Sequence, residues 1–469
     1  MSPVSYVSTR GSAPELGFAD TLLAGLAVDG GLYVPAQWPS LTVSDFQRFS
    51  TMSYAEIAVD VMWPFVDGSV ARDAFESIVV DAYASFETDE VVPLIDLGDN
   101  FWLAELFHGP TLAFKDIALQ MVGRLFDYEL TRRSEKVTIV GATSGDTGSA
   151  AIEALRDRPT AEVFILHPAG RVSDVQRRQM TTVVAPNVHN IAVQGTFDDC
   201  QDLVKALFAD QEFRESRNLS AVNSINWARV MAQIVYYVTS VVRLGGGVGR
   251  PVAFSVPTGN FGNVFAGYGA QRMGTPISQF VVASNRNDIL AQFLTTGTMT
   301  IGEVHPTLSP SMDIQVSSNL ERLLFEIHGR DGGSIAQLME RFRSEGSVSV
   351  TGERLALLVD HWTAARVDDA QTAETIATMF EQSGMLLDPH TAVGLAAARQ
   401  ARADATVPMV VLATAHPAKF PDAVESATGV RPPLPPHLAD LFERPERFEV
   451  CANDFATVRG LIEATLDQA

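Results

Sequence analysis

The stretch VTIVGATSGDTGSA, from Val137 to Ala150, decides the expected fold. Its first four residues are all β-branched, a composition typical of a buried strand. The glycine-rich turn that follows leads into a helical stretch, and strand, turn and helix in this order are the repeating unit of α/β proteins with a parallel sheet. Because ligands of such sheets bind beyond the carboxyl ends of the strands, the turn is a candidate binding site.

The same alternation continues along the chain. Four more short apolar runs predict strands: VFIL (163–166), VAFSV (252–256), FVVA (280–283) and MVVLA (409–413). Two long stretches, Lys115 to Leu130 and Asn226 to Leu244, repeat apolar residues every three to four positions and predict amphipathic helices. The glycine run GGGVGR (245–250) is predicted to end the second helix. The sequence therefore predicts the α/β class.

The length of the chain predicts more than one domain. With 469 residues it exceeds the size at which a single hydrophobic core usually keeps growing. We predict a small N-terminal region (1–100), an α/β domain with Lys115 (101–245) and a larger α/β domain (246–469).

Charge and cysteine content limit the possible partners. The net charge of -22 repels nucleic acid and anionic membranes, so neither is expected to bind, and a phosphorylated ligand would need a local site of N–H groups and basic side chains. The two cysteines, Cys200 and Cys451, have no spacing typical of a metal site or a disulfide framework, so no metal is expected. No signal peptide or membrane span is recognisable, and we expect a cytoplasmic protein.

Two glycine-rich turns are candidate anion sites. GATSGDTGSA (141–150) and PTGNFGN (257–263) each follow a predicted strand and open a helix, where backbone N–H groups can approach a phosphate. An N-cap or a tight turn explains either segment equally well without a ligand. No Lys-Ser/Thr pair follows the glycines of PTGNFGN, so the turn is not a nucleotide P-loop.

Lys115 is the candidate nucleophile. In FHGPTLAFKDIALQ (107–120) it stands at a predicted helix start, where the helix dipole disfavours a cation, beside Leu112 and Phe114. Such surroundings favour an unprotonated amine that can attack a carbonyl. A solvated surface lysine is the alternative.

Motifs along nearly the whole chain resemble those of threonine synthase of the fungal and bacterial long-chain type, a fold-type II pyridoxal-phosphate enzyme. The matching segments are YVSTRGSAPELGFADTLLAGLAVDGGLYVP (6–35), FHGPTLAFKD (107–116), GATSGDTGSAA (141–151), RVSDVQRRQMTTV (171–183), GTFDDCQDLVKALF (195–208), NSINWARVMAQIVYY (223–237), VPTGNFGNVFAGY (256–268), TLSPSMDIQVSSNLERL (307–323), LDPHTAVG (387–394) and ATAHPAKFPDAV (413–424). The resemblance implies a tryptophan synthase β-like fold with two domains of parallel or mixed sheet and the cofactor between them.

The resemblance also implies which residues hold pyridoxal 5'-phosphate. Lys115 would carry it as a Schiff base, Thr414 would face its pyridine nitrogen, and its phosphate would bind to Gly259, Asn260, Phe261, Gly262 and Asn263. The family usually has Asp at the position of Asn263, so the resemblance supports no role there that depends on charge.

For the substrate, the resemblance implies O-phospho-L-homoserine, which would be converted with water to L-threonine and phosphate. Its phosphate would bind Asn223, Ser224, Arg229 and Thr147, and its carboxylate would meet Ser144, Gly145 and Asp146. The alternative is that Asn223 and Ser224 only cap a helix whose exposed face carries Arg229.

Other functions explain fewer of these motifs. His390 and His416 each stand beside a proline, and we interpret both as structural residues and not as catalytic bases. A serine/threonine dehydratase or cysteine synthase would not need the second phosphate site of NSINWAR, and a catalytically silent homologue would not need Lys115, Thr147, Arg229 and Thr414 together. The sequence is compatible with a monomer or a homodimer.

Overall fold

The structure is a computed structural model that describes residues 3–245 and 250–468. The described residues exclude most of the glycine run GGGVGR that is predicted to end a helix. They also exclude Gly246, which lies on one side of the predicted domain boundary. The strands in the described ranges are β1 Tyr6–Ser8, β2 Tyr33–Pro35, β3 Leu94–Gly98, β4 Phe101–Glu105, β5 Val137–Ala142, β6 Ala161–Pro168, β7 Val188–Gln194, β8 Leu219–Ser220, β9 Val252–Pro257, β10 Ile277–Ser284, β11 Thr298–Thr300, β12 Ser347–Ser349, β13 Trp362–Arg366, β14 Met409–Ala413 and β15 Glu449–Ala452.

Helices connect these strands. The α-helices are α1 Phe18–Ala24, α2 Val43–Phe49, α3 Tyr54–Val66, α4 Arg72–Tyr83, α5 Lys115–Arg133, α6 Asp146–Leu155, α7 Asp174–Thr181, α8 Phe197–Ala209, α9 Gln211–Ser216, α10 Trp227–Arg243, α11 Gly262–Arg272, α12 Ile289–Thr296, α13 Leu320–Ile327, α14 Gly332–Glu345, α15 Glu353–Val359, α16 Asp369–Ser383, α17 Pro389–Ala401, α18 Pro421–Thr428 and α19 Phe455–Leu466. Short 3-10 turns lie at Pro310–Met312, Pro417–Lys419 and Pro436–Leu438. Among the described helices, none is long and apolar enough to span a bilayer.

The chain forms two compact units. Unit 1 comprises residues 1–118 and 224–432, and unit 2 comprises residues 119–223 and 433–469. These units differ from the predicted regions 1–100, 101–245 and 246–469, because contacts between distant parts of the chain decide the grouping. In unit 1 the N-terminal region packs on α10, where Tyr6 and Phe65 surround Trp227 with ring centroids 5.9 and 5.6 Å away.

Unit 1 is built on a six-stranded mixed sheet. Its order is β13-β10-β9-β14-β4-β3, parallel except for β3, which runs antiparallel to β4. The central strands β9 and β14 are buried along their whole length, as expected of parallel strands covered on both faces. Residues of α17, including Val393 and Leu395, pack against this sheet in one hydrophobic cluster.

Unit 2 is built on a five-stranded sheet of order β15-β7-β6-β5-β8, in which every pairing is parallel. The C-terminal stretch belongs to this unit because β15 pairs with β7. Val458 and Ile462 of α19 fill the same core as Leu203 and Leu207 of α8. All five strands predicted from the sequence are present in the two sheets, at the predicted places or slightly longer.

Both predicted long helices are present, and they are buried more completely than the amphipathic pattern alone suggested. Residues 227–242 of α10 are all buried, and α5 is buried from Lys115 to Gly123. Such helices bury polar side chains as well as apolar ones, so a polar residue in them is not evidence of a solvent-exposed face. Arg229 is the most consequential example.

Candidate active site

The turn before α5 holds Lys115 next to the end of β14. Because β4 and β14 are neighbouring parallel strands, the segments that follow them leave the sheet side by side. The Phe114 N–H donates to the Thr414 carbonyl at 2.9 Å, and the His416 N–H donates to the Leu112 carbonyl at 3.0 Å. Lys115, the first residue of α5, is only 8% exposed, and its Nζ lies 5.3 Å from the centroid of the Phe114 ring. The structure therefore brings Lys115 and Thr414 together.

Asp116 fixes the shape of this turn. Its carboxylate accepts hydrogen bonds from the Thr111 N–H at 2.8 Å and the Thr111 hydroxyl at 2.6 Å. Burial raises the pKa of Asp116 to about 6, against the opposing effects of Thr111 and Lys419. Lys419 is fully buried and donates from Nζ to the Thr111 carbonyl at 2.6 Å. The backbone around Lys115 is thus held in place by buried hydrogen bonds.

The turn between β9 and α11 has the features of an anion site. In the described part of the chain, the N–H groups of residues 259–263 have no hydrogen-bond acceptor. They lie at a helix N-terminus, where the dipole favours negative charge. Phe261 has a positive φ of 63° and stacks on Trp362 at 5.5 Å, while a Cβ at Gly259 would come within 2.7 Å of the Ser311 carbonyl oxygen. This backbone is shaped to accept an anion at its N–H side.

Asn263, the departure from the resembled family, is buried in this turn. Its Oδ1 accepts hydrogen bonds from the hydroxyls of Tyr236 at 2.5 Å and Tyr237 at 2.9 Å. Burial raises the pKa of both tyrosines, which keeps them protonated as donors. The Nδ2 of Asn263 has no partner among the described residues. A neutral amide therefore satisfies the tyrosines, and no contact here requires a negative charge.

Arg229 is a buried cation that forms no ion pair with the described residues. It is 4% exposed, and its Nε and Nη1 have no hydrogen-bond partner among the described residues. Burial lowers its pKa to about 10, so it still carries its charge near neutral pH. The alternative that placed Arg229 on an exposed helix face is wrong, and the helix cap is supplied by Asn226, whose Oδ1 accepts from the Ala228 N–H at 3.0 Å. An unpaired buried guanidinium is costly unless an anion binds to it.

The second glycine-rich turn belongs to unit 2. Thr143 Oγ1 accepts the N–H groups of Gly145 at 3.0 Å and Gly148 at 2.8 Å. These two groups are therefore already used, which agrees in part with the interpretation of this segment as a helix cap. Asp146 Oδ1 accepts from Gln176 Nε2 at 2.8 Å, and Gly145 has a φ of 140° that strongly favours glycine. Ser144 and Thr147 are half-buried beside these fixed groups.

The remaining predicted substrate residues, Asn223 and Ser224, are neighbours in the chain that belong to different units. Asn223 is the last residue of its stretch in unit 2 and Ser224 the first of its stretch in unit 1, and both are half-buried. The Ser224 carbonyl accepts from Asn319 Nδ2 at 3.2 Å. Neither residue caps α10, which begins after Asn226.

The two histidines have structural contacts. His390 Nε2 accepts from the Ser311 N–H at 3.2 Å while its Nδ1 bonds Asp388 Oδ1 at 2.9 Å. His416 Nδ1 accepts from the Ala418 N–H at 3.1 Å, and burial lowers its pKa to about 4. Both rings are engaged in holding turns of unit 1. In the described part of the chain, no group of His, Cys, Asp and Glu could hold a metal ion.

The sequence did not identify three polar residues that hydrogen-bond to other parts of the candidate site. Thr143, Gln176 and Asn319 lie within or beside quoted motifs, yet no role was assigned to them. Hydrogen bonds between residues far apart in the chain, such as those of Gln176 with Asp146 and of Asn319 with Ser224, have no fixed sequence spacing. The only available signal was that a polar residue stood inside a recognisable motif.

Replacing Thr143 by Val is expected to destabilise the protein by about 1–2 kcal/mol, because two N–H groups at the start of α6 lose their acceptor. Urea denaturation with an unchanged m value would measure this loss. Thr143→Ser keeps the hydroxyl and serves as the control. Equal stability of the Val variant and the wild type would show that Thr143 does not cap this helix.

Three family models match the chain in order. They describe the N terminus of threonine synthase (residues 5–83), a pyridoxal-phosphate dependent enzyme (residues 91–414) and the C-terminal part of threonine synthase (residues 391–462). Together they span both sheets and the turns described above.

Individual proteins agree with these models over nearly full length. The chain is 56% identical to threonine synthase of Pseudomonas aeruginosa over 465 residues, covering 97% of each chain. Its structure matches the crystal structure of PLP-bound threonine synthase from Brucella melitensis with a TM-score of 0.96 and 51% identity, covering 98% of this chain and 99% of the other. The yeast threonine synthase structure matches with a TM-score of 0.94 and 39% identity, covering 99% of each chain.

Proposed function

Since this chain belongs to the threonine synthase family of fold-type II pyridoxal-phosphate enzymes, we propose that it converts O-phospho-L-homoserine and water to L-threonine and phosphate. The cofactor is pyridoxal 5'-phosphate. The observation that carries the choice of substrate is the buried guanidinium of Arg229, two nitrogens of which find no partner in residues 3–245 and 250–468. The turn at residues 259–263 offers one anion site, and Arg229 offers a second for a phosphorylated substrate.

We assign the cofactor to residues of unit 1. Lys115 would hold it covalently through Nζ, Thr414 would face the pyridine nitrogen, and the N–H groups of Gly259, Asn260, Phe261, Gly262 and Asn263 would bind its phosphate. The fit is supported by the hydrogen bond that joins the Lys115 turn to the Thr414 backbone. It is also supported by the N–H groups of the phosphate turn, which have no acceptor among the residues that the structure describes. Backbone N–H groups suit a phosphate in a protein of net charge -22, since they bind it without a large basic patch.

We assign the substrate to three segments. Asn223, Ser224, Arg229 and Thr147 bind the phosphate of O-phosphohomoserine, and Ser144, Gly145 and Asp146 meet its carboxylate side. Arg229 supplies the charge and the others supply neutral donors or a shaped backbone. Asp146 carries an acidic side chain that Gln176 already engages, so we assign its contribution to backbone geometry at the start of α6.

The reaction needs proton movement and phosphate departure. When bound, the cofactor delocalises the electron pair left at the substrate carbon after proton loss. The Lys115 amine would carry protons to and from Cα and Cβ of the substrate. Arg229 stabilises the phosphate as it leaves Cγ, and water then adds at Cβ. One water is consumed for each phosphate released.

The experiment that tests this function compares two substrates. Purified protein with added pyridoxal phosphate is expected to release phosphate and threonine from O-phosphohomoserine and no pyruvate from serine. Pyruvate formation with no phosphate release would favour the dehydratase alternative. Neither product, despite cofactor binding, would favour the catalytically silent homologue.

Replacing Thr414 by Asp is expected to slow threonine formation by at least about tenfold, because a carboxylate favours a protonated pyridine nitrogen and alters the electronics of the ring. Thr414→Ser keeps the hydroxyl and should be mild. The absorbance spectrum and the rate of threonine formation measure the effect. Similar behaviour of the two variants would mean that position 414 does not contact the ring.

We further propose that the protein works in the cytoplasm as a monomer or a homodimer, without nucleic acid or membrane partners. Both cysteines are free and buried, which suits a reducing compartment. The acidic net charge supports the absence of nucleic acid and anionic membranes among its partners.

A further inference from the structure

Asn319, which precedes α13, binds two separate turns of unit 1. Its Nδ2 donates to the Asn260 carbonyl at 2.9 Å and to the Ser224 carbonyl at 3.2 Å, and its backbone N–H donates to the Asn260 carbonyl at 3.1 Å. The first carbonyl lies in the turn that we assign to the cofactor phosphate. The second lies in the turn that we assign to the substrate phosphate. A single buried amide thus connects the two assigned phosphate sites.

Arg322 fixes the orientation of that amide. Its Nη1 donates to Asn319 Oδ1, its Nη2 to the Ile225 carbonyl at 2.5 Å and its Nε to the Tyr33 carbonyl at 3.0 Å. Because the Asn319 oxygen faces a guanidinium that can only donate, the Asn319 nitrogen must face the two carbonyls. The donor end of Asn319 is therefore committed to the two turns.

Holding a carbonyl also sets the direction of the next N–H group. In a trans peptide unit the C=O of one residue and the N–H of the following residue point in opposite directions. With the Asn260 carbonyl turned toward Asn319, the Phe261 N–H points away from Asn319. The Ser224 carbonyl orients the Ile225 N–H in the same way.

We propose that Asn319 is a positioning residue that holds the cofactor-phosphate turn and the substrate-phosphate turn in register through the Asn260 and Ser224 carbonyls. The proposal rests on the function and the site assignment proposed above. It predicts that loss of the Asn319 donor weakens the binding of both ligands, although neither ligand is assigned a direct contact with Asn319.

The test variant is Asn319→Asp, which keeps the size of the side chain and the oxygen that faces Arg322 but loses the donor. Its matched control is Gln279→Glu, the same amide-to-acid change at a buried residue of β10. Gln279 Nε2 also bridges two acceptors, Thr363 Oγ1 and the Ala401 carbonyl, each at 2.8 Å. The control therefore reports the general cost of losing a buried amide donor in unit 1.

Two affinities are measured without turnover. The first is the dissociation constant of pyridoxal phosphate from the apoenzyme, followed by absorbance titration. The second is the dissociation constant of inorganic phosphate from the holoenzyme, measured by calorimetry. Asn319→Asp is expected to raise both dissociation constants by about tenfold or more, because each turn loses a buried hydrogen bond. Gln279→Glu is expected to leave both constants near the wild-type values.

The proposal is overturned if folded Asn319→Asp protein shows two unchanged dissociation constants. It is also overturned if the affinity falls for only one ligand, or if Gln279→Glu loses as much affinity as Asn319→Asp. If Asn319→Asp does not fold, Asn319→Ser, whose short hydroxyl can serve only one carbonyl, is judged by the same criteria. A wild-type protein that releases no phosphate from O-phosphohomoserine would instead contradict the proposed function, and the cofactor titration would still test the role of Asn319.

Discussion

Lys115→Ala is expected to lower threonine formation by more than about 10³-fold while leaving the fold intact. In the proposed function this side chain supplies both the attachment of the cofactor and the proton carrier, and no other residue is assigned either role. The substitution removes the amine but leaves the hydrogen bonds of the turn at Thr111 and Thr414 in place, because these do not involve the Lys115 side chain. The measurements are phosphate release, the absorbance band near ~410–420 nm that a lysine-bound cofactor gives, and far-UV circular dichroism.

Borohydride reduction identifies the lysine independently of activity. The chain has four lysines, Lys115, Lys136, Lys205 and Lys419, so peptide mapping has four possible outcomes. Lys136 and Lys205 are exposed and serve as controls for nonspecific labelling. Lys419 is buried near the same turn, but its Nζ donates to the Thr111 carbonyl. Label on Lys419 in place of Lys115 would contradict the assignment.

The central strands could be predicted from the sequence because buried parallel strands consist of continuous runs of β-branched and other apolar residues. Strands β9 and β14 are of this kind. Strands β3 and β7 were missed because the first is an antiparallel edge strand that is partly exposed and the second contains His189 and the buried Asn190. Neither gives the continuous apolar pattern of a central strand.

The composition of the two units could not be predicted. It depends on pairings between distant stretches, such as β15 with β7, and on the packing of the N-terminal region around Trp227. The chain order of these elements contains no signal for such contacts. The boundaries drawn along the sequence therefore follow the motifs and not the packing.

The candidate site divides in the same way. Motifs indicated Lys115, Thr414 and the turn at 259–263, and the family comparison supports the reaction assigned to them. The amphipathic pattern of α10, however, allowed a solvent-exposed face that would carry Arg229, whereas Arg229 is buried. Periodicity identified the helix correctly but gave no measure of how completely its surroundings cover it.

Arg229→Ala is expected to lower kcat/KM for O-phosphohomoserine by roughly 30- to 1000-fold, equivalent to about 2–4 kcal/mol for a charge-assisted contact in a buried site. Cofactor affinity should change little, because a different turn is assigned to the cofactor phosphate. Steady-state kinetics and a cofactor titration measure the two quantities. Arg229→Lys keeps the charge but loses the planar fork, so an intermediate loss is expected.

The stability of the Arg229→Ala apoenzyme distinguishes a binding role from a structural one. A buried cation costs free energy when its polar atoms lack partners, and two nitrogens of Arg229 have none among the described residues. Its removal is therefore expected to leave the free energy of unfolding unchanged or to raise it in phosphate-free buffer. Arg322 is the contrasting case, since its guanidinium bonds two backbone carbonyls and Asn319, and Arg322→Ala should be strongly destabilising. Lower activity with equal or higher stability is the signature of a residue kept for its ligand. A destabilised Arg229→Ala protein with unchanged kcat/KM would mean that Arg229 serves the packing of α10 and that the substrate phosphate binds elsewhere.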